Sequence, residues 1–135
     1  MYEAKLFGRK TGRGYYNYAE GATLPEPNQD GELAKSIFYR VISMLINEAV
    51  DSLYMGLASM EDLDLAMTKG VNYPKGLLKW GDELELTHVL DTLTNLHCEY
   101  NEERYRPSVL LKKMVKENKT FYPRNDLPEG KKVIV

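Results

Sequence analysis

Four groups of residues in this 135-residue chain have types and spacing that chemistry could use. The first is Gly8-Arg9-Lys10-Thr11-Gly12-Arg13-Gly14, which mixes glycines with three cations. Backbone N–H groups and guanidinium groups together can hold a phosphate, so Arg9 and Arg13 are candidate substrate-binding residues. The stretch is neither G-x-G-x-x-G after a strand nor G-x-x-x-x-G-K-[ST], so neither phosphate-loop fingerprint is met. A surface connector with tight glycine turns is the competing reading. The second group is His97 and Cys98. Neighbours on a helix point about 100° apart, which excludes a nucleophile–base pair. His88 is too distant in sequence for an H-x-x-x-H zinc motif, so no metal site is expected. His97 then reads as a hydrogen-bonded core or interface histidine, and Cys98 as a small buried filler. The third is Asn47-Glu48, midway along an apolar stretch, where a polar contact across a helix interface is expected. The fourth is the Glu61, Asp62, Asp64 cluster, which suits the positive end of a helix. No set of catalytic residues emerges.

These residues need elements to hold them. Residues 1–31 form a connector with turn-forming glycines and prolines, and a short strand is expected at Tyr15–Tyr18. From Asp30 the texture becomes helical. Leu33, Ile37, Val41, Met44, Leu45, Ala49 and Leu53 recur at three-to-four spacing. Phe38, Ile42, Ile46 and Val50 widen this apolar face well beyond one stripe, as in a helix central to a bundle. Asp30 is the expected N-cap and Gly56 the expected C′ residue. A second helix is predicted over Met60–Lys69, capped by Ser59. Pro74 then turns the chain, and a short helix runs from Leu77 to about Leu86. A fourth begins near Thr87, with Val89, Leu90, Leu93, Leu96, His97 and Tyr100 on one face. A fifth starts after Arg106, with Leu110, Leu111, Met114 and Val115 inward. The fold class is therefore all-α: five helices over 32–122, with an extended tail over 123–135 that is only loosely tied down.

Composition narrows the function classes. Eighteen Lys plus Arg against twenty Asp plus Glu give a net charge of -2, so a globally basic nucleic-acid binder is excluded. One cysteine excludes an intramolecular disulfide framework. No apolar run is long enough to span a membrane, and MYEAKLFGRK has no signal-peptide core, so a cytoplasmic location is expected.

Three blocks carry a resemblance. They are Ile46-Asn47-Glu48-Ala49, then Gly56 through Met67 (GLASMEDLDLAM), then Gly70-Val71-Asn72-Tyr73-Pro74-Lys75-Gly76. In order and spacing they resemble the C-terminal domain of 3-hydroxyacyl-CoA dehydrogenases. The Gly8–Tyr16 segment and Glu102–Leu111 (EERYRPSVLL) are similar to the ends of the second of two tandem helical copies in some bacterial members. The resemblance covers about Leu6–Tyr122. It implies NAD-dependent interconversion of 3-hydroxyacyl-CoA and 3-oxoacyl-CoA in acyl-CoA metabolism. It also implies that catalysis uses a His–Glu pair on a separate nucleotide-binding domain. The family's first helical copy carries an Asn directly before Arg; here Tyr39 precedes Arg40, so the Asn function is missing. Leu77 stands where Pro often comes after P-x-G.

The sequence thus predicts a helical dimerisation and substrate-cleft domain with no catalytic residue and no cofactor site of its own. It is expected to work with the Rossmann and first helical domains of the parent-type enzyme, or as a homodimer, with acyl-CoA as a contact. The alternative is a free-standing assembly or acyl-CoA-binding module that partners a separate dehydrogenase chain. Ile37, Phe38, Val41, Ile42, Leu45 and Ile46 are the expected interface, because one helix bundle of this size cannot cover so wide an apolar face.

Overall fold

The computed structural model describes residues 1–123. Most of the expected tail therefore lies outside the described residues. The chain forms two compact units, Met1–Asp30 and the part from Gly31 onward.

In the first unit, the expected strand at Tyr15–Tyr18 does not form. Two isolated antiparallel bridges, Gly8 with Arg13 and Arg13 with Asn17, stand in its place. The chain reverses twice within ten residues, which leaves each arm too short for a ladder. Thr11 ties the first reversal: its hydroxyl accepts from the Phe7 N–H (3.0 Å) and donates to the Arg13 carbonyl (3.0 Å). Tyr18 N–H closes the second onto the Gly12 carbonyl at 2.7 Å.

The second unit is helical throughout its described part. It comprises α1 (Gly31–Tyr54), α2 (Met60–Leu65), α3 (Leu77–Glu83), α4 (Leu86–Tyr100) and α5 (Val109–Lys116). Helix α1 runs through the middle and packs against all four others. It ends as its sequence requires: Gly56 takes φ 69°, its N–H bonds the Leu53 carbonyl and the Leu57 N–H bonds the Ser52 carbonyl. These two bonds satisfy carbonyls that the helix end would leave orphaned. Ser59 caps α2 by accepting from the Asp62 N–H at 3.1 Å. The expected second helix changes pitch partway: its α-helical part stops at Leu65, and a wider π-type turn carries the chain over Ala66–Gly70. Such a turn adds a residue to the helical ladder and re-aims the chain beyond it.

The core is Ile42, Ile46, Val50, Leu77, Leu78, Leu86, Val89, Leu93 and Leu111, with Leu84 and Phe121 at its margin. Burying each of these side chains contributes roughly 1.5–3 kcal/mol. Two of the expected interface residues, Ile42 and Ile46, are 3% and 0% exposed within this single chain. They are core residues, and that part of the interface expectation is corrected: the bundle itself covers this side of α1. Phe38 and Leu45 are half-buried, whereas Ile37 and Val41 are 55% and 50% exposed. Cys98 is exposed, not a buried filler: it lies roughly 140–160° round α4 from the inward Leu93 and Leu96, on the opposite side of the helix.

Candidate functional site

Chemistry in the helical unit would have to use its buried and half-buried polar groups. Asn47 is 2% exposed. Its Nδ2 donates to the Arg106 carbonyl (3.1 Å) and its Oδ1 accepts from the Ser108 N–H (2.8 Å). The expected contact across a helix interface is therefore made by Asn47, fastening α1 to the start of α5. Glu48 is exposed and takes no part. One turn before Asn47, Ser43 is fully buried, and among the described residues neither its hydroxyl nor that of Ser108 has a hydrogen-bond partner.

Asp64 does more than complement a helix end. Its Oδ1 accepts from the Leu78 N–H (2.8 Å) and its Oδ2 from the Lys79 N–H (3.0 Å). It thereby caps α3 from another helix, at a position where Gly76 offers no side chain to do so. Gly76 is what admits the carboxylate: a Cβ there would lie 2.1 Å from the Asp64 Cγ. The Tyr122 hydroxyl donates to the same Oδ2 at 3.0 Å. Burial and the Asp64 charge push the Tyr122 hydroxyl well above its ordinary pKa, so it stays a donor.

Asp82, 6% exposed, holds the segment after α5: it accepts from the Phe121 N–H (3.0 Å) and the Tyr122 N–H (2.8 Å). Burial raises its carboxyl above the usual range, the two N–H bonds oppose the rise, and Asp64 adds to it. Asp64, Asp82 and Tyr122 thus form a clasp over α3. Sequence reasoning missed Asp82 altogether and gave Asp64 only a surface role. The available signal was the pairing of a carboxylate with an uncapped glycine twelve residues on.

Arg40 lies between two aromatic rings. Its guanidinium sits 4.7 Å from the Tyr100 ring centre and 5.1 Å from that of Tyr105, and it hydrogen-bonds the Tyr105 hydroxyl. That hydrogen bond raises its pKa. Tyr39, beside it, meets His88 edge-to-face at 4.8 Å. The position that the resemblance assigns to a functional Asn is filled by aromatic packing. His97 is hydrogen-bonded as expected, through Nδ1 to the Glu102 carbonyl at 3.1 Å.

The knuckle residues Arg9 and Arg13 belong to the first unit. There an open cleft of about 320 Å³ is lined by Arg9, Asn17, Tyr18, Ala19, Ala22 and Leu24. The Arg9 guanidinium lies 5.8 Å from the Tyr18 ring centre. The glycines of this segment do not fit a dinucleotide cofactor: the chain folds back at Arg13 and Asn17, where a phosphate-binding turn would open a helix. Among the described residues, no group of three or more His, Cys, Asp or Glu side chains is placed to hold a metal, and no helix is long and apolar enough to cross a membrane.

Comparison with known proteins agrees with this architecture. The family model of the 3-hydroxyacyl-CoA dehydrogenase C-terminal domain matches residues 37–123. The chain is 44% identical over 98 residues to 3-hydroxyadipyl-CoA dehydrogenase of Escherichia coli (strain K12), a match spanning 73% of this chain and 20% of that protein. It is 40% identical over 79 residues to 3-hydroxybutyryl-CoA dehydrogenase of Clostridioides difficile, spanning 58% of this chain and 28% of that one. The crystal structure of 3-hydroxybutyryl-CoA dehydrogenase from Escherichia coli K12 superposes with a TM-score of 0.68 at 25% identity, over 86% of this chain and 43% of that chain. The chain thus spans less than a third of the length of these two curated relatives.

Proposed function

Because the chain belongs to the family of 3-hydroxyacyl-CoA dehydrogenase C-terminal domains, we propose that it is the helical, non-catalytic part of an NAD-dependent enzyme that interconverts 3-hydroxyacyl-CoA and 3-oxoacyl-CoA. Its work is to shape the acyl-CoA cleft and to associate, in the cytoplasm, with a nucleotide-binding domain and with a second copy of itself. The observation that carries this reading is the use made of three polar side chains, Asn47 and Asp82 buried and Asp64 half-buried. Asn47, Asp64 and Asp82 all bind backbone N–H or carbonyl groups of the same bundle. None of them is left to polarise a substrate hydroxyl or to take its proton.

Association rests on the outer face of α1. Ile37 and Val41, one turn apart, are both half or more exposed. Apolar side chains repeated along one helix face suit a twofold pairing of like helices. Such an interface would bury on the order of 1,500 Å² in total.

Calorimetry with NADH and an assay with 3-hydroxybutyryl-CoA plus NAD test the non-catalytic assignment. Neither saturable NADH binding nor turnover is expected of this chain alone. Micromolar NADH binding accompanied by turnover would overturn it.

A further inference from the structure

Three cations of the first unit, Arg9, Lys10 and Arg13, fall within five residues, and all three are exposed. Among the described residues none of them forms an ion pair, and the Arg9 guanidinium meets the Tyr18 ring, 5.8 Å from its centre. The backbone that carries them is nevertheless fixed. The Gly8 N–H bonds the Arg13 carbonyl (3.0 Å), the Gly14 N–H bonds the Tyr16 carbonyl (2.9 Å), and Thr11 braces the turn from inside. Gly14 could not be larger, since a Cβ there would lie 2.8 Å from the Gly8 Cα. A fixed turn that carries three exposed cations within five residues suits a ligand with negative charge.

The cleft beside the cluster says what else the ligand must have. Arg9, Asn17 and Tyr18 line it together with the small apolar side chains of Ala19, Ala22 and Leu24. Its volume, about 320 Å³, is at the small end for ligand sites. A tyrosine beside apolar side chains suits a flat heterocycle, and the Arg9 guanidinium in the same lining suits a phosphate. Tyr15, 90% exposed, adds a second stacking face on the same knuckle.

We infer that the first unit binds a phosphorylated nucleoside, with Arg9 and Arg13 on the phosphate and the base against Tyr18. Resting on the reading above, the ligand is the adenosine 3′-phosphate end of coenzyme A.

Calorimetry of the full chain at low salt, with coenzyme A, dephospho-coenzyme A, adenosine 3′,5′-bisphosphate and inorganic phosphate, tests it. Coenzyme A should bind at least about tenfold more tightly than dephospho-coenzyme A. Adenosine 3′,5′-bisphosphate should keep most of that affinity, and inorganic phosphate should not. Arg9→Ala and Arg13→Ala should abolish the preference, and Lys112→Ala, an exposed cation on α5, should leave it intact. Equal affinity for coenzyme A and its dephospho form, no binding of either, or a preference that survives both arginine variants would overturn the inference. Inorganic phosphate binding as tightly as the nucleotide would overturn the role of the cleft. None of these results bears on whether the helical unit supports turnover beside a nucleotide-binding domain, so this inference can fail while the assignment above stands.

Discussion

Gly76 has no room for a methyl group, and its neighbour explains why. The Asp64 carboxylate occupies the space where a Cβ would go and caps two N–H groups of α3. Gly76→Ala should therefore push Asp64 aside, uncap α3 and free the Tyr122 hydroxyl. The expected loss is about 3 kcal/mol of unfolding free energy by denaturant titration; a loss within about 0.5 kcal/mol, the usual spread of surface changes, would show that the cap is dispensable. Glu85 presents the opposite case. It enters α4 at φ 66° and ψ 115°, a conformation costly for any residue with a Cβ. Glu85→Gly should stabilise the chain by about 1 kcal/mol, the relief of strain exceeding the added chain entropy of glycine. Glu85→Ala keeps the Cβ and should leave stability nearly unchanged; equal effects of the two would refute strain as the cause.

Asp82 gives a pH dependence of definite sign. Its folded carboxyl is pushed above the ordinary aspartate value, mainly by burial. The folded chain then binds this proton more tightly than the unfolded chain does. Its contribution to stability is fullest below the ordinary aspartate pKa and declines as pH rises through the higher folded value. The stability of the chain relative to Asp82→Asn, tracked by denaturant midpoints from pH 3 upward, should fall across that window; a relative stability that rises would mean that the Phe121 and Tyr122 N–H bonds outweigh burial. How much of this was legible depends on distance along the chain. Ser59 and Asp62 are three residues apart and their cap is readable from spacing. Asp64 and Asp82 act on backbone 14 to 40 residues away, and no local pattern announces that.

At the scale of elements, the helices arise from periodicity and punctuation. The apolar spacing of α1, its Gly56 end, and the Pro74 turn before α3 were all readable because each acts through its own neighbours. The division of α1 into faces was not readable. Its apolar residues surround most of the helix, and only packing shows that Ile42 and Ile46 face the core while Ile37 and Val41 face outward. The π-type turn after Leu65 was hidden for a related reason: AMTKG is compatible with ordinary helix, and nothing in those five residues themselves calls for the wider pitch. The outward face carries its own prediction. Light scattering at micromolar concentration should give about twice the 15.5 kDa chain mass. Ile37→Glu with Val41→Glu should halve that mass and leave the helical circular dichroism unchanged. A native chain of single mass would remove α1 as the pairing face.

At the scale of the whole molecule, Asn47, Asp64 and Asp82 are used for architecture, and Arg9, Lys10 and Arg13 of the first unit form no ion pair among the described residues. A family resemblance resting on the N-E-A, G-x-A-S and G-x-x-x-P-x-G blocks was legible because those blocks are the joints of the bundle. Asn47 fastens α1 to α5, Ser59 and Asp64 cap α2 and α3, and Gly76 admits Asp64. On the reading proposed above, these joints make the helical unit a support rather than a reaction centre. The most direct measurement of that claim is a chimera. The part of Escherichia coli 3-hydroxyadipyl-CoA dehydrogenase that this chain matches is replaced by residues 1–135, and NADH formation from a 3-hydroxyacyl-CoA is monitored by absorbance. Turnover that survives the exchange, and is absent from the Escherichia coli protein truncated before the matched part, is the predicted result. A chimera that is folded and still binds NADH, yet turns over no faster than the truncated protein, would contradict the account.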